Sequence, residues 1–253
     1  MAALQLIEIA LALVFACALQ GAVGFGAGLF AIPLMVWAGE SLPSAITITM
    51  GGILVQTSWN LFRYRDHVSV RELMPIFWLR LLMMPVGVML LGLLVGLGTA
   101  RVKQAIGLLL LGVLCVQWLL RVKPRERVAW GWTALAGSAS GLTAGLVGMG
   151  GPPVVLWVMA HDWPGKKSRS FLWATYLLLI PFNLAVLVYR FGSGIWGSLL
   201  LGLCLAPLVL AGSEVGQRLG GMMNRHRLRT AALVLLLVLA VVSVLGPVFT
   251  QAG

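Results

Sequence analysis

The chain has 253 residues, of which 60% are hydrophobic and only 10% are charged, and its net charge is +11. A soluble globular domain has about a quarter of its residues charged, so this composition excludes that class. Apolar runs recur along the whole length, each long enough to cross a bilayer as a helix of ~20 residues. We therefore predict a single transmembrane domain over residues 1–253. The Lys and Arg residues lie between the apolar runs, which favours a role in membrane topology over nucleic-acid binding.

The apolar runs predict eight elements in chain order. They span residues 3–38, 43–62, 73–97, 104–121, 129–160, 167–190, 195–217 and 229–249. Glycines interrupt the first element in the stretch GAVGFGAGLFAIP and the fifth in the stretch GLVGMGGPPVV, which share a G-x-x-G-x-G core. The two cores begin at Gly21 and Gly145, 124 residues apart, which is about half the chain. This spacing predicts a duplication, with repeat one at about 3–121 and repeat two at about 129–249.

The loop charges distinguish two topologies. If each glycine-broken element returns to its own side as a hairpin, the loop Lys and Arg residues divide fourteen to three between the faces; if each crosses once, they divide eight to nine. The crowded face would carry Arg63, Arg65, Arg71, Arg121, Lys123, Arg125, Arg127, Lys166, Lys167, Arg169, Arg218, Arg225, Arg227 and Arg229. Cytoplasmic loops carry an excess of basic residues, so the hairpin topology is favoured.

Each half then contains a hairpin and three crossings, and the second half begins on the opposite side of the membrane from the first. The predicted fold class is an all-α polytopic membrane protein with two inverted repeats, each a glycine-broken helical hairpin followed by three transmembrane helices. The first hairpin enters from outside and the second from the cytoplasm. Both chain termini are predicted on the periplasmic or extracellular side.

The glycine breaks predict a ligand site. Non-helical backbone at membrane depth is stable only where it is buried in protein or lines a cavity. The returning arms begin near Gly28 and Pro152, so each points the amino end of a half-helix at the midplane, which favours a small anion. The predicted binding residues of the tips are Gly24, Phe25, Gly26, Ala27, Gly28, Gly148, Met149, Gly150 and Gly151. The alternative is that the glycines only allow close helix packing.

The two glycine stretches, read as GAVGFGAGLFAIP and GLTAGLVGMGGPPVVLW with the crossings that follow each, resemble the sulfite exporter TauE/SafE family, also called the toluene sulfonate uptake permeases. The resemblance covers nearly the whole chain. It implies secondary transport of a sulfur-containing anion, such as sulfite, thiosulfate, a sulfonate or sulfoacetate, across the bacterial inner membrane. Both export and uptake are compatible with it.

Three amide side chains are candidates for contact with the anion. Gln20 abuts the first break, while Asn60 and Asn183 lie late in the second segment of each repeat. Their amide groups can donate hydrogen bonds to an oxyanion. The alternative is that they satisfy exposed backbone beside a helix break or bond to a neighbouring helix.

Two charged residues are candidates for anion attraction or coupling. Arg80 lies well inside the third element, where it either attracts the anion or snorkels to the inner surface. Glu214 lies four residues before Arg218, so it either forms an ion pair within the helix or takes part in proton coupling.

The predicted function is a secondary carrier that binds the anion between the two tips and rocks one repeat against the other. The alternatives are an anion channel, which has no occluded state, an intramembrane enzyme, and a non-catalytic scaffold. No serine, histidine and acid grouping lies at membrane depth, so no catalytic residue is predicted. The expected partners are the anion and the lipid bilayer, with no nucleic acid, cofactor or metal; the pattern indicates no particular oligomeric state.

Overall fold

The computed structural model describes residues 3–64, 67–119, 125, 128–222 and 225–251, which are α-helical apart from short connections and an isolated bridge. The helices within these ranges are α1 (Ala3–Val23), α2 (Ala27–Trp37), α3 (Leu42–Tyr64), α4 (Val70–Gly96), α5 (Thr99–Leu119), α6 (Trp130–Val147), α7 (Gly151–Met159), α8 (Gly165–Phe191), α9 (Ile195–Cys204), α10 (Ala206–Met222) and α11 (Arg225–Gln251).

Several of these helices can span a membrane. In the described ranges, α1, α4, α5 and α8 are each long and apolar enough to do so alone, and the bent pair of α9 and α10 adds a fifth span if it is counted as one. The prediction of an all-α, multi-pass membrane protein is confirmed at this level. Part of the topology prediction concerns residues outside the described ranges. They are the basic residues Arg65, Arg121, Lys123 and Arg127 and the two chain ends.

The first glycine break separates α1 from α2 at residues 24–26. The two helices fold back on each other: Gln5 near the start of α1 donates from Nε2 to the Oε1 of Glu40, just beyond α2, over 2.9 Å. Between these ends and the tip, the rings of Phe15 and Phe30 meet edge to face, with centroids 6.2 Å apart. The first element is therefore a hairpin whose tip is the glycine cluster.

The second glycine break separates α6 from α7 at residues 148–150. Trp157, near the end of α7, donates from its indole nitrogen to the hydroxyl of Thr133, near the start of α6, over 2.9 Å. The start of one helix thus lies beside the end of the next. This second element is also a hairpin, and its returning arm of nine residues is shorter than the eleven residues of α2.

The expectation of one unbroken segment over 195–217 is wrong. The segment divides at Leu205 into α9 and α10, which are bent by 54° relative to each other. Pro207 is the second residue of α10, where its ring displaces the carbonyl four residues earlier and it offers no N–H to the preceding turn. The matching Pro85 lies inside α4, which continues through it.

Small residues bring helices of the two halves into backbone contact. A Cβ on Gly216 of α10 would collide with the carbonyl oxygen of Ala18 on α1, and a Cβ on Gly145 of α6 would collide with that of Met84 on α4. Such close approach is how helices associate in a bilayer. As a result, the first arm of each half packs against the third segment of the other half, and α5 packs against α11.

Two apolar clusters surround the hairpins. The larger one includes Ile9 and Leu13 of the first hairpin together with buried residues of α3, α5 and α11. The second surrounds Trp157, whose ring stacks on Phe171 of α8 with centroids 5.1 Å apart. Met149, from the tip of the second hairpin, packs in the cluster of the first. Met149 therefore packs the second tip against the core of the first hairpin.

Candidate functional site

The tips of the two hairpins line one cavity, which we call the central cavity. A Cβ on Gly28 would lie 2.9 Å from the carbonyl oxygen of Gly148, so the tips are in backbone contact. The volume of the cavity is about 80 Å³. This is enough for several water molecules or one small oxyanion. The predicted residues that line it are Gln20, Gly26, Ala27, Gly28, Arg80, Gly148, Met149, Gly150, Gly151 and Asn183.

Glycine conformation and a side-chain cap shape the first tip. Gly26 has φ +107°, in the left-handed region that side chains strain, and it immediately precedes α2. The Oε1 atom of Gln20 accepts a hydrogen bond from the backbone N–H of Ala27 over 3.3 Å. The carboxamide of Gln20 therefore caps the backbone N–H of the first residue of α2. The amino end of α2 faces the cavity, since Ala27 and Gly28 line it.

The second tip is built differently. Gly148 has φ +69° and ends α6, while the hydroxyl of Ser140 donates to the carbonyl oxygen of Gly150. Pro152 and Pro153 follow at the start of α7 and carry no N–H. The helix dipole still points its positive end at the cavity, but α7 offers fewer free N–H groups there than a helix without prolines would.

Arg80 brings a full positive charge to the second tip. It extends from α4 into the wall of the central cavity, and only 2% of its surface is exposed. Its Nη1 donates to the carbonyl of Thr175 over 2.8 Å, and its guanidinium lies 5.7 Å from the ring centroid of Tyr176. The Nη2 atom is 3.2 Å from where a Cβ on Gly150 would lie. Among the described residues, no carboxylate forms an ion pair with this guanidinium.

Four buried polar atoms in the cavity wall have no hydrogen-bond partner within the described part of the chain. They are Nε2 of Gln20, Nε of Arg80, the hydroxyl of Tyr176 and Oδ1 of Asn183. Asn183 uses its Nδ2 to donate to the carbonyl of Ala144 over 3.3 Å, an assignment of the amide that rests on this bond. Each buried polar group without a hydrogen-bond partner lowers the stability of the fold by ~1–3 kcal/mol, so these four atoms favour a cavity that contains water or a polar ligand.

Two predicted tip residues lie elsewhere. Gly24 and Phe25 line a second cavity of about 390 Å³ between the first tip and the connection from α7 to α8. The Cγ of Arg169 lies 3.8 Å from the position of a Cβ on Gly24. The tip of the first hairpin therefore separates two cavities, with Gly26 on the central one and Gly24 on the other.

Two further predicted residues are not brought to the central cavity. The Oδ1 of Asn60 accepts from Nε2 of Gln217 on α10 over 3.1 Å. Glu214 forms ion pairs with Arg63 at 3.5 Å and with Arg218 at 3.4 Å, and its side chain is 40% exposed. Both residues bond between or along helices outside the walls of the central cavity.

Tyr176 also belongs to the cavity wall; the sequence makes it a candidate for lining the cavity, although Asn183 is the predicted binding residue of this helix. It lies on α8 seven residues before Asn183, which is two helical turns, so both side chains share one face. The sequence therefore contained a signal for it. The apolar residues of the wall had no such signal, because an apolar side chain that faces a cavity looks the same in sequence as one that faces lipid. They are Leu29, Met50, Ile53, Leu179 and Ile180.

The comparison with protein families decides the family. The model described as Sulfite exporter TauE/SafE matches residues 9–243. The chain belongs to the sulfite exporter TauE/SafE family. Membership makes it a membrane transporter of sulfite-type anions, and the matched range includes both hairpin tips and the whole wall of the central cavity. Neither the search of curated proteins nor that of solved structures returns a significant match.

Proposed function

We propose that this TauE/SafE family member is a secondary transporter that binds one small sulfur-containing anion in the central cavity and moves it by alternating access. The observation that carries the proposal is Arg80, a buried cation without a carboxylate partner among the described residues, beside the amino ends of two half-helices. A buried charge needs an opposite charge to be stable. The anion supplies that charge when it binds.

The donors around the cavity suit an oxyanion. The guanidinium of Arg80 presents planar N–H donors, of which Nε has no partner in the described part of the chain, and a guanidinium fork matches the oxygens of sulfur oxyanions as it does those of phosphates. Gln20 adds an amide N–H donor and Tyr176 a hydroxyl. The amino ends of α2 and α7 add partial positive charge. Sulfite, thiosulfate, a sulfonate and sulfoacetate all present such oxygens.

The helix packing supports two inverted repeats. The first arm of repeat one, α1, packs on α10 in repeat two, and the corresponding α6 packs on α4 in repeat one. The second segments α3 and α8 pack on each other, as do the last helices α5 and α11. This reciprocal pairing is what a two-fold axis between the halves produces. The bond between Lys167 at the start of α8 and Glu72 at the start of α4 favours an axis in the membrane plane, because α8 then begins on the face where α3 ends. Rocking one repeat against the other opens the tips first to one side and then to the other.

The proposed placement is the bacterial inner membrane, with both termini on the periplasmic side. Contacts between helix ends support the hairpin topology from which this placement follows. Lys167 at the start of α8 bonds to Glu72 at the start of α4 over 2.8 Å, so these starts lie on one face, as the hairpin topology requires. Arg63 at the end of α3 and Glu214 on α10 pair in the same way. These are ends that the topology assigns to the cytoplasm.

Counterflow of radiolabelled sulfite in proteoliposomes tests the proposal. Vesicles preloaded with excess unlabelled sulfite should take up label transiently above its external concentration, and thiosulfate or small sulfonates should compete better than phosphate or chloride. Saturable uptake without this overshoot would indicate an anion channel, because a channel has no occluded state. Turnover of a sulfur compound by the purified protein would instead support an intramembrane enzyme. No specific flux in folded protein would refute the substrate class.

A further inference from the structure

We infer that the central cavity works as an obligatory exchanger, which returns across the membrane only when it holds a second anion. The inference rests on the proposed transport function and specifies how the empty site behaves. The decisive feature is that, among the described residues, Arg80 has no carboxylate counterion when the cavity is empty. The second substrate is a small anion of the same chemical class, bound by the same guanidinium from the opposite side.

No acidic residue in the described part of the chain lines the central cavity or pairs with Arg80. The chain contains only seven of them, of which Asp66 and Glu126 lie outside the described residues. The other five are absent from the lining of the central cavity. Three are engaged elsewhere: Glu40 with Gln5, Glu72 with Lys167, and Glu214 with Arg63 and Arg218. Glu8 lies in an outer groove beside Trp37, and Asp162 is an exposed loop residue.

The rest of the wall does not provide a substitute charge. Its polar members near Arg80 are neutral: Tyr176, Gln20 and Asn183. The one hydrogen bond that the structure gives the guanidinium goes to a backbone carbonyl, that of Thr175. The amino ends of α2 and α7 add positive potential to the same space. An empty cavity is therefore a site of net positive charge surrounded largely by apolar side chains.

Occlusion then separates the loaded cavity from the empty one. While the cavity is open to one side, water solvates the guanidinium. During rocking, both sides are closed and most of that water is lost, which strongly penalises a charge without a partner. A bound anion removes the penalty, because the closed state then contains a charge pair. The loaded carrier crosses the barrier and the empty one does not.

The test compares two effluxes from one proteoliposome preparation loaded with radiolabelled sulfite. One external medium contains unlabelled sulfite, and the other contains only gluconate, as an anion too large for the cavity. Valinomycin with equal potassium on both sides holds the membrane potential at zero, so that charge build-up does not limit net efflux. We expect efflux into sulfite to be more than about tenfold faster than efflux into gluconate, because the empty carrier must cross a higher barrier to return and a higher barrier means a slower rate.

The outcomes separate the two hypotheses. Equal efflux into both media would overturn obligatory exchange and leave the carrier intact. Absence of efflux into either medium, from protein shown to be folded, would instead refute the transport function itself. Replacing external sulfite by sulfate, thiosulfate or chloride then ranks the anions that the returning site accepts.

A variant pair tests the cause. Tyr176→Glu places a carboxylate beside Arg80, whose guanidinium lies 5.7 Å from the tyrosine ring centroid. It should let the empty cavity close, so that net efflux approaches the exchange rate. Tyr176→Gln removes the same ring without adding a charge, and its efflux should still require an external anion. An unchanged ratio in folded Tyr176→Glu would contradict the role of Arg80. If that variant does not fold, the comparison in the unmodified protein still decides.

Discussion

The two hairpin tips share a glycine signature but differ in how their helix ends are completed. In the first tip, Gln20 caps the N–H of Ala27 from within the same hairpin. In the second, Arg80 approaches Gly150 from a different helix, α4. A repeated backbone motif can therefore specify the same turn twice while its surroundings give one tip an internal cap and the other an external charge.

The residue directly before each glycine core accounts for part of this difference. Gln20 and Ala144 occupy the same place in the two repeats, 124 residues apart. The methyl group of Ala144 lies 2.7 Å from where a Cβ on Gly150 would be, and Nη2 of Arg80 lies 3.2 Å from the same point. A small side chain at 144 leaves room for the guanidinium. A glutamine there would compete for that space.

The largest expected effect comes from removing the charge that distinguishes the second tip. Arg80→Gln should reduce sulfite binding by at least ~100-fold, because breaking a buried charge pair costs ~3–5 kcal/mol. Arg80→Lys should keep part of the activity, since it retains the charge but loses the planar fork. Binding is measured by isothermal titration in detergent. Arg63→Gln is the matched control, because the side chain of Arg63 is 55% exposed and lies outside the cavity. An equal loss of sulfite affinity in both variants would mean that Arg80 does not bind the anion.

Side chains added to the tips should be nearly as damaging, for different reasons at each tip. Gly26→Leu and Gly150→Leu should both abolish flux without preventing membrane insertion, because each fills the space between anion and backbone. The alanine variants separate the causes. Gly26→Ala has ordinary contacts but adopts φ +107°, so it should lose ~1–2 kcal/mol of stability. Gly150→Ala has an ordinary φ of −71°, but its Cβ would lie 2.7 Å from the carbonyl oxygen of Ser140 and 3.2 Å from Nη2 of Arg80, so it should lose sulfite affinity as well as stability.

Thermal unfolding and transport measured on the same preparations check this pair. Normal sulfite affinity in Gly150→Ala would contradict the crowding of Arg80, whatever the change in stability. Normal flux in either leucine variant, once folding is established, would place the anion away from that tip.

The two asparagines provide a smaller, matched comparison. Asn183→Ala should raise the KM for sulfite by ~2–10-fold, the equivalent of one hydrogen bond of ~0.5–1.5 kcal/mol, because it removes the bond from Nδ2 to Ala144 that holds the second tip in the cavity wall. Asn60→Ala should leave KM unchanged and reduce only stability, since it breaks the contact with Gln217. Initial rates of uptake over a range of sulfite concentrations decide. Similar KM changes in both variants would mean that the repeats contribute symmetrically to binding.

The smallest expected effect concerns the exposed carboxylate. Glu214→Gln should change stability by less than ~1 kcal/mol, because the pairs of Glu214 with Arg63 and Arg218 are partly solvated. It should also leave the dependence of sulfite flux on external pH unchanged. A flattened pH profile in this variant would instead support the proton-coupling hypothesis.

Much of the architecture was predictable because its causes are local. Apolar length indicates a spanning helix, and glycine clusters mark where a helix must break, so both hairpins and most spans follow from the sequence. The bend at Leu205 was missed although Pro207 lies beside it. A proline permits a bend, but the matching Pro85 lies in a continuous helix, so proline alone does not decide where a helix bends.

The sequence by itself determined that this protein is a membrane protein, where its two hairpins turn, and which family it resembles. Only the tertiary structure decided which polar side chains meet. Arg80 lines the cavity because α4 packs closely on α6 with the guanidinium directed at the second tip. Asn183 reaches the cavity wall while Asn60 bonds to α10. Which side chains reach the cavity depends on the rotation of each helix and on its position along the membrane normal relative to its neighbours. Both are set by packing between residues far apart in the chain.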